Sequence, residues 1–196
     1  MKLLEERIVK DGTVRPGNIV KVDSFLNHQI DPQLMDAIAD EFYRLFGDKK
    51  ITKIITVEAS GIAIAIMTAK RFGVPALFAK KARSANIDSD LYTSAVKSYT
   101  YGNVYTITAS KQYLNNQDHV LIVDDFLAMG SALTGLIDIV RQSGATIEGV
   151  GVCIEKAFQP GGKHIRDMGL PLQSLAMIES ISEDGQITFV PQKEEK

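Results

Sequence analysis

The stretch VLIVDDFLAMGSAL, residues 120–133, decides the fold of this 196-residue chain. Four apolar residues lead directly into the adjacent acids Asp124 and Asp125, and a loop of small residues then opens a helical pattern. The apolar run predicts a buried strand that ends at the two carboxylates, because short apolar runs bounded by turn residues are typical of buried strands. This order of strand, acidic pair, loop and helix predicts a polar site at the end of the strand.

Strand and helix patterns alternate on both sides of this unit. Leu3, Leu4 and Ile8 share one face of the first predicted helix, and Asp31 is placed to cap the second. The predicted helices are 1–12, 31–47, 61–73 and 131–144, and the predicted strands are 51–57, 74–81, 118–124 and 147–155. This alternation predicts an α/β fold with a mostly parallel sheet that is covered by helices on both faces.

Two segments between these elements have a different character. Residues 82–95 show no period and contain many small or polar residues, which predicts a long loop. Residues 96–110 alternate around Gly102-Asn103, which predicts a hairpin or two strands. Because loops of such length are often lids, we expect residues 82–95 to close over the site and a bound ligand to slow proteolysis at Arg83.

Composition and charge narrow the class of protein. The net charge of −2 provides no basic field for a polyanion such as DNA, so a nucleic-acid partner is not expected. The one cysteine, Cys153, lies in an apolar run and is predicted to be a core residue. The N-terminus is charged, and no apolar run approaches the roughly 20 residues that cross a bilayer. We therefore expect a cytoplasmic protein without a membrane partner, with residues 1–196 in one domain.

Unusual residues end three of the predicted strands. They are Glu58-Ala59-Ser60-Gly61, Asp124-Asp125 and Glu155-Lys156. Ligands of parallel sheets bind outside the carboxyl ends of the strands, so these groups are expected to converge on one site.

The acidic pair is open to three interpretations. It could simply cap the strand and start a turn, since aspartate is common in turns. A phosphoacceptor receiver domain has a similar pair near its N-terminus, whereas only 71 residues follow Asp125 here (196 − 125). A nucleotide-sugar site would use the carboxylates for the ribose hydroxyls and the loop at 128–132 for a phosphate, because small residues let backbone N–H groups approach an anion. The third interpretation accounts for both the acids and the loop.

The motif VLIVDDFLAMGSA resembles the phosphoribosyl-pyrophosphate signature of the type I phosphoribosyltransferases. The resemblance extends through VDSFLNHQID (22–31), ASGIA (59–63) and IEKAFQPG (154–161). Along its whole length the chain resembles the bacterial members that use xanthine. One departure is Met129, where many members carry a small hydroxyl residue. Phosphate binding would therefore depend more on backbone N–H groups and on Ser131.

The resemblance implies a fold, a reaction and an assembly. The fold is that of the type I phosphoribosyltransferases, with a small hood lobe formed by about residues 1–30 and the segment from about residue 157. The reaction is the transfer of ribose 5-phosphate from phosphoribosyl pyrophosphate (PRPP) to N9 of xanthine. Mg²⁺ would be bound through PRPP rather than directly by the protein, and the assembly would be a homodimer.

The resemblance also implies which residues bind PRPP. They are Asp124 and Asp125 at the ribose hydroxyls, Ala128, Met129, Gly130, Ser131 and Ala132 at the 5-phosphate, and Glu58, Ala59, Ser60, Gly61 and Lys81 at the pyrophosphate. A non-proline cis peptide is common in the 58–61 turn of the family. Lys80 and Lys81 could equally be two solvated lysines at the end of a strand.

Four residues are predicted to surround the base. Lys156 follows a long apolar strand, where an unpaired ammonium is costly, so it would donate to the 6-oxygen of the purine unless it pairs with Glu155. Phe158 would stack on the base or fill the core. By resemblance Asn27 contacts the base edge, with its amide N–H placed to donate to the 2-oxygen of xanthine, and Val20 lies nearby. This set predicts xanthine as the preferred base, and Lys156 argues against adenine because an ammonium cannot accept from a 6-amino group.

The remaining alternatives concern function rather than fold. His28 and His119 have no ligand partners at metal spacing, so we expect both to be surface or packing residues.

A non-enzymatic regulator that senses PRPP would need a DNA-binding module before the helix at Asp31, and only 30 residues precede it. Another purine base, either guanine, hypoxanthine or adenine, remains the alternative substrate.

Overall fold

The computed structural model describes residues 1–82, 90–97 and 104–192. The helices are α1 (Lys2–Asp11), α2 (Pro32–Phe46), α3 (Gly61–Phe72), α4 (Ser131–Ser143) and α5 (Gly161–Asp167). The strands are β1 (Thr13–Arg15), β2 (Ile19–Lys21), β3 (Lys53–Val57), β4 (Ala76–Ala82), β5 (Leu91–Lys97), β6 (Val104–Ser110), β7 (His119–Leu127), β8 (Thr146–Lys156), β9 (Leu172–Ile181) and β10 (Ile187–Phe189). A π-helical turn lies at Asp23–Asn27 and a 3₁₀ turn at Lys111–Tyr113.

Eight of the described strands form one sheet in the order β10-β9-β8-β7-β3-β4-β6-β5. The strands from β9 to β4 run parallel, and β10, β6 and β5 add antiparallel edges. The strands β1 and β2 form a separate antiparallel hairpin. The predicted α/β fold with a mostly parallel sheet is confirmed, and so is the antiparallel pairing predicted for the chain around residues 96–110.

The helices α2 and α4 cover opposite faces of the sheet, each over its own apolar cluster. Helix α2 packs so closely on β8 that glycines are required below it. A Cβ atom at Gly149 would lie 2.3 Å from the ring of Phe46, and one at Gly151 would lie 2.7 Å from the ring of Phe42. Protein cores are packed too densely to absorb such overlaps. Cys153, in the same strand, is fully buried as predicted.

Two boundaries predicted from the sequence are wrong. Strand β7 does not end at the acids but continues to Leu127, because its last residues pair with Ile154 and Glu155 of β8. The predicted loop at 82–95 overlaps β5, which begins at Leu91 and pairs along its length with β6. The segment 83–89 of the predicted lid, with Arg83, lies outside the described residues.

The first helix buries a narrower face than the sequence suggested. Leu4 and Ile8 are buried, as residues four positions apart on one helical face should be, whereas Leu3 is 51% exposed.

No helix in the described parts of the chain is both long and apolar enough to cross a membrane.

The elements that follow Lys156 were not assigned from the sequence. Helix α5 leads to β9, which extends the parallel sheet beside β8, and β10 then closes this edge in the antiparallel direction. The hairpin of β1 and β2 was also missed. It turns through Gly17 and Asn18, both with positive φ, a pair of residues that favours tight hairpin turns.

Candidate functional site

Asp124 and Asp125 lie side by side near the carboxyl end of β7. Asp124 is 4% exposed, and its Oδ1 accepts a 3.0 Å hydrogen bond from the backbone N–H of Asp125. Asp125 is half-buried, and its Oδ1 accepts a 2.9 Å hydrogen bond from the N–H of Phe126. Burial, followed by the negative charge of Asp125, raises the pKa of Asp124 well above its ordinary value. The pair therefore combines a buried carboxyl group that favours its protonated form with a more accessible second one.

The variant Asp124→Asn is expected to stabilise the fold at neutral pH by about 1–2 kcal/mol, since active-site groups are commonly held at a cost in stability. Because the folded-state pKa of Asp124 is raised, the folded protein keeps a proton that the unfolded chain has released near pH 4. The stability of the wild type therefore falls as the pH rises through the folded-state pKa, and the asparagine variant lacks this loss.

Thermal unfolding between about pH 4 and pH 8 tests this prediction. The gain should shrink towards acid pH, where Asp124 is protonated in both states. Asp48→Asn, in which the altered side chain is 74% exposed, serves as the control and should show no comparable gain. A melting temperature of Asp124→Asn below that of the wild type at pH 8 would contradict the prediction.

The loop after β7 brings backbone N–H groups to the same edge of the sheet. Gly130 has a φ of 82° and precedes Ser131, where α4 begins without a side-chain cap. The N–H groups of this first helical turn point towards the loop and can bind an anion. Ala128, Met129, Ser131 and Ala132 are all partly exposed. The predicted phosphate loop is therefore accessible and lies directly after the acid pair.

The turn between β3 and α3 lies against the acid pair. Its Glu58–Ala59 peptide is cis. A Cβ atom at Gly61 would lie 1.9 Å from Oγ1 of Thr56 and 3.2 Å from Oδ1 of Asp124. Only a glycine lets α3 begin this close to the acid, because any side chain would displace buried atoms. The structure therefore brings together the predicted 58–61 turn and Asp124.

Lys81 and Tyr105 lie on neighbouring strands close to this turn. The backbone N–H of Lys81 donates a 2.6 Å hydrogen bond to Oε1 of Glu58, and its Nζ lies 5.5 Å from the centre of the Tyr105 ring. Burial, followed by the charge of Asp124, raises the pKa of Tyr105. Tyr105 was not predicted from the sequence. It could be found only from the register of β4 and β6: Lys81 pairs with Ile107, and Tyr105 lies two residues before Ile107, so it lies on the same face of β6.

Asn27 connects the N-terminal segment to the acid pair. It ends the π-helical turn, and its Nδ2 donates a 3.3 Å hydrogen bond to Oδ2 of Asp125. Its Oδ1 is buried and has no hydrogen-bond partner. The amide group that was predicted to donate to a base oxygen thus already donates to Asp125, and the unpaired atom is the acceptor. Val20, also predicted near the base, is 7% exposed in β2.

Lys156, at the end of β8, contacts the N-terminal hairpin, and Phe158 follows it two residues later. The Nζ of Lys156 donates a 2.9 Å hydrogen bond to the backbone oxygen of Asn18 and lies 6.0 Å from the centre of the Phe126 ring. Burial lowers the pKa of Lys156. The ring of Phe158 is 40% exposed, so the alternative that it fills the core is wrong.

Glu155 does not belong to this site, although it precedes Lys156. Its side chain is 2% exposed, and both carboxylate oxygens accept 2.7 Å hydrogen bonds from Arg166. The hydroxyl of Ser174 also donates to it. Successive residues of a strand point to opposite faces. The expected convergence therefore fails for Glu155, and the alternative that Lys156 pairs with it is wrong.

His28 and His119 are surface or packing residues, as predicted. His28 is exposed, and Nδ1 of His119 lies 2.6 Å from Oε1 of Glu148. Within the described ranges, no group of three or more His, Cys, Asp or Glu side chains could hold a metal ion.

Comparisons with solved structures place this architecture among the type I phosphoribosyltransferases. An adenine phosphoribosyltransferase from Giardia lamblia, solved with 9-deazaadenine, gives a TM-score of 0.76 at 21% identity over 90% of this chain and 98% of that one. The enzyme from Trypanosoma brucei, solved with AMP, pyrophosphate and ribose-5-phosphate, gives 0.76 at 20% identity over 93% and 82%. These likenesses confirm the predicted fold.

Sequence comparisons extend over nearly the whole chain. Xanthine phosphoribosyltransferase of Lachnoclostridium phytofermentans is 54% identical over 96% of this chain and 98% of its own length. The protein of the same name from Ligilactobacillus salivarius is also 54% identical, with the same coverage of 96% and 98%. The phosphoribosyl transferase domain family matches residues 22–170. Together with the acid pair and the phosphate-type loop, these matches show that the chain belongs to the phosphoribosyltransferase family.

Proposed function

We propose that this protein transfers ribose 5-phosphate from PRPP to N9 of xanthine, giving xanthosine 5′-monophosphate and pyrophosphate in purine salvage in the cytoplasm. The observation that carries the proposal is the acid pair Asp124-Asp125, held between the loop at 128–132 and the turn at 58–61. PRPP is a ribose with a phosphate at one end and a pyrophosphate at the other. Its site therefore needs acceptors for the ribose hydroxyls between two phosphate-binding segments. The relatives compared above support xanthine as the base.

The acid pair acts on the ribose. Oxygens of Asp124 and Asp125 accept hydrogen bonds from the two ribose hydroxyls, and the more accessible carboxyl group of Asp125 places negative charge beside the anomeric carbon. In the reaction the bond from that carbon to pyrophosphate breaks, its bond to N9 forms, and the imidazole N–H proton of the base passes to solvent. Positive charge develops on the sugar in the transition state, so preorganised carboxyl groups lower the barrier.

The two flanking loops bind the phosphates. Backbone N–H groups of residues 128–132, with the hydroxyl of Ser131, bind the 5-phosphate. Residues Glu58, Ala59, Ser60 and Gly61 bind the pyrophosphate through backbone groups, and Lys81 neutralises part of its charge. Mg²⁺ prefers oxygen ligands and keeps several waters, and the carboxyl groups at this edge suit such an ion when it is carried by PRPP. When bound with PRPP, Mg²⁺ would neutralise part of the charge on the pyrophosphate.

The base lies between the N-terminal hairpin and the segment after β8. Lys156 donates to the 6-oxygen, exchanging its hydrogen bond with Asn18 for one with the base. The exposed ring of Phe158 stacks on the purine, and Val20 forms part of the apolar wall. Because an ammonium has no acceptor, it cannot pair with the 6-amino group of adenine.

We also propose that residues 1–196 form one domain, with about 1–30 and the segment from about 157 as its hood lobe. The hydrogen bond between Lys156 and Asn18 supports this arrangement. A homodimer is proposed as well, and the apolar side chains of Ile66 and Phe78, which are 54% and 39% exposed, are candidates for its interface.

The variant Gly130→Val is expected to abolish measurable PRPP binding. A Cβ atom at this position would lie 3.1 Å from Cα of Gly161, and the φ of 82° disfavours a β-branched residue by about 1–2 kcal/mol. Relief of this strain has to reshape the loop that carries the phosphate-binding N–H groups. Titration calorimetry with PRPP measures the loss.

Gly73→Val is the matched control for this prediction. Gly73 has a φ of 70° and ends α3, but a Cβ atom there would meet nothing within 4 Å. The control therefore carries similar backbone strain without crowding the phosphate loop, and it should bind PRPP normally. Unchanged PRPP affinity in Gly130→Val would show that residues 128–132 do not bind the 5-phosphate.

Pyrophosphate release tests the proposed function directly. The protein is incubated with PRPP, Mg²⁺ and one purine base at a time, and pyrophosphate is measured against a reaction without base. We expect the highest kcat/KM with xanthine, lower values with guanine and hypoxanthine, and no turnover with adenine. Preferred use of another base would favour the alternative substrate, and no release with any base would favour a PRPP-sensing regulator.

A further inference from the structure

Helix α5 begins against the loop at 128–132, the loop assigned above to the 5-phosphate. The backbone N–H of Gly161, the first residue of α5, donates a 3.0 Å hydrogen bond to the backbone oxygen of Ala128. Gly161 is buried, although Phe158 and Pro160 just before it are exposed. The start of α5 therefore contacts the phosphate loop with its backbone rather than with a side chain.

No side chain fits at position 161. A Cβ atom there would lie 2.4 Å from the oxygen of Ala128 and 2.7 Å from the nitrogen of Gly130. Both are backbone atoms of the phosphate loop, so neither can turn aside as the end of a flexible side chain could. The contact is reciprocal, because a Cβ atom at Gly130 would lie 3.1 Å from Cα of Gly161. The two glycines thus let two backbone segments pack directly on each other.

The hydrogen bond from Gly161 fixes the orientation of the peptide between Ala128 and Met129. This peptide is trans, and in a trans peptide the C=O and N–H groups point in opposite directions. Since the oxygen of Ala128 points to Gly161, the N–H of Met129 points away from α5. Within the described residues, no backbone oxygen accepts from this N–H group. It is therefore directed outwards and can bind an anion.

The other end of the phosphate loop is held by α4. The backbone oxygen of Gly130 accepts 2.9 Å hydrogen bonds from both the N–H and the hydroxyl of Thr134. Thr134 is close to Gly130 in sequence, whereas Gly161 comes from a separate helix beyond β8. The orientation of the first peptide of the loop thus depends on a distant segment of the chain.

We propose that Gly161 is a positioning residue for PRPP: its backbone N–H holds the carbonyl of Ala128 so that N–H groups of the loop face the 5-phosphate. The proposal rests on the proposed function and adds a residue from outside the phosphate-binding motif. Gly161 acts through Ala128 rather than by contact with PRPP. Because the charge of the 5-phosphate does not change in the reaction, a misplaced loop weakens binding of PRPP and of the transition state equally. Such a loss raises KM and leaves kcat nearly unchanged.

The variant Gly161→Ala tests the positioning role, because its methyl group has to displace the backbone of the loop. The measurements are kcat, KM for PRPP and for xanthine, and the inhibition constants of ribose 5-phosphate and of pyrophosphate against PRPP. Ribose 5-phosphate carries the phosphate that the loop at 128–132 would bind, whereas pyrophosphate would bind at the turn 58–61. The two inhibitors therefore separate damage to the loop from damage to the whole PRPP site.

We expect KM for PRPP and the inhibition constant of ribose 5-phosphate to rise together, by about tenfold to a hundredfold, since a displacement of about 1 Å can have an effect of this size. The values of kcat, KM for xanthine and the inhibition constant of pyrophosphate should stay within about threefold. Equal rises in the two inhibition constants would overturn the proposal. A folded variant with an unchanged KM for PRPP would overturn it as well.

Gly47→Ala is the matched control. A Cβ atom at Gly47, directly after α2, would lie 2.5 Å from the backbone oxygen of Tyr43. The control therefore forces a methyl group against a backbone carbonyl at nearly the same distance, but outside the proposed site. It should leave all five constants unchanged. A rise in KM for PRPP as large as that of Gly161→Ala would mean that general strain causes the effect, and the proposal would be wrong.

A backbone ester at position 161 tests the hydrogen bond alone. Glycolic acid in place of the glycine removes the N–H group without adding bulk, so it serves if Gly161→Ala lacks the wild-type circular dichroism spectrum. KM for PRPP and the inhibition constant of ribose 5-phosphate should rise about threefold to tenfold, as expected for one lost hydrogen bond. Unchanged values contradict the proposal. A wild type that releases no pyrophosphate with any base contradicts the proposed function itself, whereas calorimetry with ribose 5-phosphate still tests Gly161.

Discussion

Asp125→Ala is expected to lower kcat by about 30- to 1,000-fold while the protein stays folded. The substitution removes the more accessible carboxyl group of the acid pair, and with it an interaction with the ribose that strengthens as positive charge develops. Losses of this kind cost about 2–4 kcal/mol in the transition state. The fold should persist because Asp125 is only half-buried and its neighbour Asp124 keeps the acceptor for the backbone N–H at position 125.

Steady-state pyrophosphate release and thermal unfolding together measure this effect. Asp125→Asn separates charge from hydrogen bonding, because the amide oxygen still accepts from a ribose hydroxyl, and it should retain more activity than the alanine variant. Asp48→Ala, at an exposed position outside the proposed site, is the control and should keep the wild-type rate. Wild-type turnover by Asp125→Ala would rule out the ribose-binding role.

The parts of the fold that follow from local sequence were predictable. The cap of α2 shows why: the side chain of Asp31 accepts from the N–H groups of Gln33 and Leu34 within a few residues of itself. The extension of β7 to Leu127 was not predictable, since it depends on pairing with β8. Likewise, β5 has no regular alternation of apolar and polar residues in its sequence and becomes a strand because β6 provides its hydrogen-bond partners.

The same distinction between local sequence and long-range contacts applies to the candidate site. The acid pair and the phosphate loop are contiguous in sequence, so a single motif contains them. The contacts around the base cross the chain: Asn27 bonds to Asp125 over 98 positions, and Lys156 bonds to Asn18 over 138. Residue types suggested that Asn27 donates to the base, but no local rule could show that its N–H is already engaged. The tertiary partner decides which end of the amide is free.

The largest expected effect on stability concerns Glu155, which lies on the face of β8 opposite to Lys156. Arg166→Met is expected to lower the free energy of unfolding by about 3 kcal/mol. Glu155 is 2% exposed and accepts from both terminal nitrogens of Arg166 at 2.7 Å. Methionine keeps an apolar stem but leaves this carboxylate without its cation. The cost should lie at the lower end of the range for broken buried pairs, because the side chain of Arg166 is 41% exposed. Urea unfolding measures the change.

Lys163→Met is the matched control, since Lys163 lies on the same helix and pairs with Asp167 at a position that is 80% exposed. Its loss should cost about 0.3–0.5 kcal/mol, the usual worth of an exposed helical pair. Adding Glu155→Gln to Arg166→Met should restore part of the stability, because a buried neutral amide costs less than an unpaired charge. Equal losses in Arg166→Met and Lys163→Met would show that the buried carboxylate does not depend on its arginine. Because Glu155 and Lys156 point to opposite faces of β8, Arg166→Met should reduce stability while leaving the order of base preference unchanged.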